Sequence, residues 1–135
     1  MSIFAEDIEK GTAFIQGLFK FSPEEKFNQA VIALTSDAIL VYNDNAPDSI
    51  NGENWMYSVK VRLPKETVSL VINEIIMTKS RQLQGLNRLC IEIKGVEKPY
   101  YFYYAVDFEK EASNFIAGLK HYGYRADTRK NKLGL

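Results

Sequence analysis

Apolar and polar residues alternate along several stretches of the chain, and a period of two is typical of half-buried β-strands. The alternation is clearest where valine, isoleucine and tyrosine face serine, lysine and arginine on successive positions. Aromatic and β-branched residues strengthen the prediction because they favour pleated structure. Strands are thereby predicted at 12–21, 56–62, 67–76, 87–94 and 100–105.

Two further apolar runs lie close together and predict a β-hairpin. Residues 30–34 and 38–42 are almost wholly apolar, and Thr35-Ser36-Asp37 separates them. The short polar side chains of this tripeptide can satisfy backbone groups in a tight turn. We therefore expect these two strands to pair with each other.

The pattern changes from a period of two to a helical period near the C-terminus. Asp107 is a predicted N-cap, Glu109 and Glu111 complement the helix dipole in the first turn, and Gly123 suits the position after the last turn. The sequence predicts a helix over 107–122, followed by a frayed basic tail over 124–135. The apolar stripe of this helix comprises Phe108, Ala112, Phe115, Ile116, Leu119 and Tyr122.

These elements predict a mainly β domain of seven antiparallel strands and one C-terminal α-helix. Short connections without helices between strands argue against a parallel sheet. The sheet must curve into a partly open barrel, which the helix caps. With 135 residues the chain has the size of one domain, divided into a leader (1–11), the domain (12–123) and the basic tail (124–135).

The net charge of zero, from 17 basic and 17 acidic residues, disfavours a nucleic-acid binder. The charge is nevertheless uneven along the chain: residues 1–55 have a net charge of −6, and residues 56–94 have a net charge of +4. The last 13 residues add +3. Such polarity can steer a charged partner.

No motif for catalysis, a metal or a cofactor is present. The one histidine, His121, lies at the predicted helix end, where an imidazole complements the dipole. The one cysteine, Cys90, excludes an internal disulfide and has no neighbouring base that would activate it. We therefore expect no enzyme, no metal site and no cofactor. The N-terminal residues lack a secretory signal pattern, so we expect a cytoplasmic protein.

The order of seven strands and a terminal helix resembles the pleckstrin-homology superfold, in particular the bacterial PH-like and GRAM-like domains. Residues 34–40 resemble the hairpin of that group, and residues 61–68 are similar to its basic-proline corner. The resemblance covers the chain from Thr12 to Tyr122 and implies a non-catalytic binding module. The phosphoinositide-binding members have a cluster of lysine and arginine in the first hairpin, where this chain has only Lys20 and Lys26.

The candidate partner-binding residues are aromatic or basic. Tyr101 and Tyr103 share one face of a strand, opposite Tyr100, Phe102 and Tyr104, and Trp55 ends the longest loop. Exposed tyrosine and tryptophan side chains favour recognition. The complete candidate set is Trp55, Lys60, Arg62, Arg81, Arg88, Tyr101 and Tyr103.

Three functions are consistent with these predictions. The first is recognition of a protein or peptide partner, or self-association, through the open edge expected of a curved sheet. The second is peripheral binding to anionic membrane lipid through the basic segments. The third is transport of a small apolar ligand beneath the closing helix.

Overall fold

The computed structural model of the protein describes residues 14–20, 26–43, 59–79, 81 and 84–132. They form eight strands and one α-helix, here called α1. The strands are β1 (Phe14–Phe19), β2 (Asn28–Leu34), β3 (Ala38–Asn43), β4 (Val59–Pro64), β5 (Val68–Met77), β6 (Leu86–Ile93), β7 (Tyr100–Ala105) and β8 (Ala126–Lys132), and α1 is Glu109–His121.

One sheet contains all eight strands, in the order β4-β3-β2-β1-β7-β6-β5-β8. It is mixed, because β8 runs parallel to β5 while the other neighbouring pairs are antiparallel. The sheet is open, with β4 and β8 at its edges. The predicted mainly β fold with one C-terminal helix is confirmed, and each of the seven predicted strands has its counterpart.

The predicted hairpin is formed by β2 and β3. Ala33 pairs with Leu40 and Leu34 with Ile39. In the turn, the Thr35 hydroxyl donates to Asp37 Oδ1 at 2.8 Å and the Thr35 amide donates to the carbonyl of Ala38 at 2.9 Å. The runs are continuously apolar because both faces of this hairpin are buried, with Ile32, Ile39 and Val41 on one side and Val31, Leu40 and Tyr42 on the other.

Gly17 lies on β1 where this strand approaches β7 closely. A Cβ at this position would lie 2.0 Å from the carbonyl oxygen of Tyr103 and 2.6 Å from Cε1 of Phe102. Only glycine allows such an approach within a strand. The ladder between β1 and β7 consists of the pairs Leu18–Tyr103 and Phe19–Phe102.

Helix α1 covers the inner face of the curved sheet and completes the core. Ala112, Phe115, Ile116 and Leu119 are buried, as the predicted stripe requires. Gly123 ends the helix at φ +87°, and the amide of Tyr124 donates to the carbonyl of Leu119 at 2.9 Å. These two features form a Schellman motif.

The predicted N-cap at Asp107 is wrong. A 3-10 turn over Val106–Phe108 precedes α1, so Phe108 occupies the N-cap position and no side chain caps the helix there. The amide of Val106 donates instead to the carbonyl of Gly85 at 2.9 Å. The connection from β7 is therefore fixed by backbone contacts to the loop before β6.

The prediction of a frayed tail is wrong for residues 126–132, which form β8. Its sequence, Ala-Asp-Thr-Arg-Lys-Asn-Lys, has no apolar alternation that would indicate a strand. The strand forms because its backbone pairs in parallel with β5 from Val71 to Met77, and not because of the pattern of its side chains.

Several predictions lie outside the described residues. They concern the leader 1–11, the polar loop from residue 44 onward and Trp55. The division into leader, domain and tail stays a prediction.

Candidate functional site

The structure brings three of the seven predicted site residues together. Arg88 on β6 pairs directly with Tyr103 on β7, and Tyr101 lies two positions along the same strand. All three lie on the outer face of the sheet, away from α1. Arg62 lies on edge strand β4, where its Nη2 is 3.6 Å from Asp37 Oδ2, and Arg81 is exposed in the connection between β5 and β6. Trp55 and the side chain of Lys60 are not described.

The Arg88 guanidinium makes two hydrogen bonds and one ring contact within the protein. Its Nε donates to Glu74 Oε1 at 2.6 Å, and its Nη1 donates to the Tyr103 hydroxyl at 3.0 Å. The guanidinium carbon also lies 4.0 Å from the centre of the Tyr101 ring. Burial lowers the pKa of Arg88, but the hydrogen bonds to Tyr103 and Glu74 and the charge of Glu74 outweigh it and raise that pKa above its ordinary value.

Glu74 extends this cluster to a fourth strand. The Asn131 amide of β8 donates to Glu74 Oε2, while Oε1 accepts from Arg88. The Arg88 and Glu74 side chains are only 11% and 12% exposed. The cluster therefore joins β5, β6, β7 and β8 from the outer face, and its charges are neutralised internally. Arg88 thus has its charge partner within the protein, and its role in partner binding stays a prediction.

An aromatic strip continues from this cluster across β7. The Phe27 ring packs edge-on against Tyr103 with centroids 5.2 Å apart, and Lys20 Nζ lies 4.9 Å from the Phe27 centroid. Phe27 is 45% exposed. The sequence indicated the tyrosines of this strip, but Phe27 was missed because it precedes β2 rather than lying within a recognised alternation.

Cys90 is buried beside the same cluster. Burial raises the pKa of its thiol to about 11, and the carboxylates of Glu74 and Glu92 act in the same direction. A thiol with this pKa stays protonated near neutral pH and is a poor nucleophile. These surroundings fit the expectation of an inert cysteine.

A groove of about 360 Å³ opens beside the close approach of β1 to β7. We call it the β1–β7 groove. The ladder between the two strands ends beside it, at the Leu18–Tyr103 pair. None of its lining residues is charged; they are Gln16, Gly17, Leu18, Gln29, Leu86, Tyr103, Tyr104, Ala105 and Phe108.

The two edge strands differ in what they offer to another chain. β4 ends at Pro64, and its register with β3 shifts between Val41 and Tyr42. A proline and a bulge are both devices that block edge pairing. β8 has neither: its register with β5 is continuous over seven residues, and its side chains are largely exposed. Within the described residues the outer side of β8 has no partner strand, so the β8 edge is open there, and its exposed lysines are the edge-protecting device that it has.

The described residues lack both a metal-ligating cluster and a membrane-spanning helix. They contain no group of three His, Cys, Asp or Glu side chains that could hold a metal ion. No helix among them has the length and apolar character needed to cross a membrane.

Comparison with known proteins gives a similarity of fold. No protein-family model matches the chain, and no curated protein sequence matches it. Among solved structures, the chain is similar to the hSac2 domain from human phosphoinositide phosphatase Sac2, with a TM-score of 0.51 and 10% sequence identity. The similarity covers 98% of this chain and 90% of that domain. At this identity the likeness concerns the fold alone.

Proposed function

We propose that the protein is a non-catalytic, PH-like binding module that recognises an extended segment of a partner protein by strand addition. The observation that carries the proposal is the β8 edge, which has no partner strand on its outer side among the described residues and ends an open sheet. An edge strand presents a row of unpaired backbone groups, and a peptide that adopts β-structure can pair with them.

The charge of β8 supports a partner protein over a second copy of this chain. The strand has three cations, Arg129, Lys130 and Lys132, against the single carboxylate of Asp127. Two copies pairing through β8 would set like charges opposite each other, which is destabilising. A different chain avoids this repulsion.

The lipid alternative has less support from the described residues. The hSac2 domain comes from a phosphoinositide phosphatase, which suggests testing lipid binding here. Arg88, however, is neutralised by Glu74, and no charged side chain lines the β1–β7 groove. The cations that could face a lipid surface are those of the strand edges and turns.

A library of random peptides displayed on phage tests the proposed function. We expect selected peptides to slow amide hydrogen exchange at residues 126–132, because added backbone pairs protect the edge. Versions of the same peptides with alternate amides N-methylated should lose binding, since methylation removes the donors on which strand addition depends. Binding that survives N-methylation, or leaves β8 exchange unchanged, would contradict strand addition.

The β1–β7 groove favours a second candidate function, the carriage of a small uncharged apolar ligand. Its volume lies within the usual range for ligand sites, and Leu18, Leu86 and Phe108 supply apolar surface. Titration with the uncharged dye Nile red tests this. We expect enhanced fluorescence with the native protein and its loss in Leu86→Glu, whereas equal fluorescence in both would remove this candidate.

A further inference from the structure

The β8 edge carries its positive charge in a spaced pattern rather than as a diffuse patch. Lys130 and Lys132 are two positions apart, so they share one face of the strand, the face on which Ala126 packs against the core. Both lysines are exposed. Within the described residues, neither has a salt bridge.

The opposite face of β8 is already partly neutralised. Arg129 Nε lies 3.2 Å from Asp127 Oδ2, and Asn131 is bound to Glu74. The charge left without a counterpart is therefore that of the two lysines. A strand that added to this edge would place alternate side chains beside them, because directly opposed residues on one face interact across a ladder.

We propose that the β8 edge selects an extended segment with acidic residues at every second position, paired with Lys130 and Lys132. This inference rests on the proposed strand addition and names the chemistry of the partner. Carboxylates two residues apart would face both ammonium groups at once, while the residues between them would lie on the Arg129 side. A contiguous acidic block would place half of its carboxylates on the wrong face.

The same lysines also protect the free protein. Lysine on an edge strand discourages pairing between copies of a chain. The two lysines thus disfavour pairing between two copies of this chain and favour an acidic partner, because their repulsion becomes an attraction when the incoming strand is acidic.

The test uses a fluorescein-labelled peptide that alternates glutamate with valine over the length of β8. Two comparison peptides have the same length: one with glutamine in place of glutamate, and one with the same glutamates in a contiguous block. Binding to the full chain is followed by fluorescence anisotropy, and amide exchange at residues 126–132 reports whether the peptide lies on the edge. We expect the alternating acidic peptide to bind at least about tenfold more tightly than either comparison peptide.

Charge reversal identifies the lysines. The variant Lys130→Glu/Lys132→Glu should lose binding of the acidic peptide and gain binding of a peptide that alternates lysine with valine. The matched control, Lys98→Glu/Lys110→Glu, changes two exposed lysines outside β8 by the same total charge and should bind like the native protein. Far-UV circular dichroism verifies that each variant is folded.

The other results would each overturn the inference in a different way. Equal binding of the glutamine and glutamate peptides, with protection of β8, would leave strand addition standing and remove the acidic preference. Equal binding of the alternating and block peptides would contradict the requirement for acidic residues at every second position. No protection of β8 by any peptide would remove the proposed function itself. Binding to phosphatidylserine vesicles that is lost in Lys130→Glu/Lys132→Glu, without peptide binding, would assign the lysines to a membrane surface.

Discussion

Arg88 illustrates how the environment of a residue decides its role. Arg88 was a candidate binding residue because it is basic, and the two tyrosines beside it belong to the neighbouring strand β7. In the folded protein the guanidinium contacts Glu74, Tyr101 and Tyr103. The Arg88 side chain is 11% exposed. Glu74 is distant in sequence and becomes its partner only through the register of β5 and β6.

Removal of Arg88 alone should destabilise the protein strongly. In Arg88→Met, Glu74 would remain buried without its counter-charge, and we expect a loss of about 3–5 kcal/mol in the free energy of unfolding. The double variant Arg88→Met/Glu74→Met should recover most of that loss because no buried charge remains. Urea denaturation followed by circular dichroism measures both; equal destabilisation in the single and double variants would argue against the pair as the cause.

Cys90 gives a prediction about pH. Its folded pKa of about 11 lies above the ordinary cysteine value of 9.0, so the folded state keeps its proton where the unfolded state loses it. The contribution of this thiol to stability is complete below pH 9 and is lost as the pH rises through about 11. Cys90→Ser should be less sensitive to pH in that window, as urea midpoints at several pH values would show.

The reactivity of the same thiol gives a direct readout. A thiol-specific reagent at pH 8 should modify Cys90 slowly in the native protein and rapidly in urea, since a buried, protonated thiol is a weak nucleophile. Modification at the same rate in both conditions would mean that the thiol is accessible in the fold.

At the scale of elements, the close approach of β1 to β7 depends on a single small residue, Gly17. Gly17→Ala would place a methyl group 2.0 Å from the Tyr103 carbonyl oxygen, so the two strands must move apart. We expect a loss of more than about 4 kcal/mol or a failure to fold. Gly95→Ala is a suitable control, because it lies in a turn where a Cβ meets nothing within 4 Å; it has a positive φ of 75° and should cost only about 1 kcal/mol.

The elements also show what the sequence could predict and where it failed. The hairpin β2–β3 and the helix were predictable because their own side chains alternate or recur with the required period. β8 was not, because its order comes from the backbone of β5 and from the Asn131–Glu74 contact. The burial of Val71 to Glu74 in β5, which only the structure shows, reflects the neighbours that this strand has on both sides.

Some features of the candidate site were likewise predictable from the sequence, and others were not. Tyr101 and Tyr103 were correctly placed on one face of β7 from their alternation, but the position of Arg88 beside them and its contact with Glu74 required knowledge of strand pairing. Neither the β8 edge nor the β1–β7 groove could be predicted from the sequence, because both depend on the order and pairing of the strands. Sequence periodicity reports which way a side chain points within a strand, and not which strand lies beside it.

At the scale of the whole molecule, the charge of β8 predicts a monomer. We expect light scattering to give the monomer mass over a wide range of protein concentration, against the self-association that the sequence allowed. Arg129→Thr/Lys130→Thr/Lys132→Thr removes the repulsion and should raise the association constant by about tenfold or more. Added salt should act in the same direction on the native protein, because it screens exposed charges.

The narrow ladder between β1 and β7 has a consequence for how the molecule opens. Six residue pairs join β1 to β2, and six join β6 to β7, but only two described pairs join β1 to β7. The sheet is thus two four-stranded leaves, each with its own continuous ladder, and α1 contacts strands of both. We therefore expect the helix and the core that both leaves share to couple their unfolding, and each leaf is a candidate foldon whose amides exchange separately when that coupling is lost.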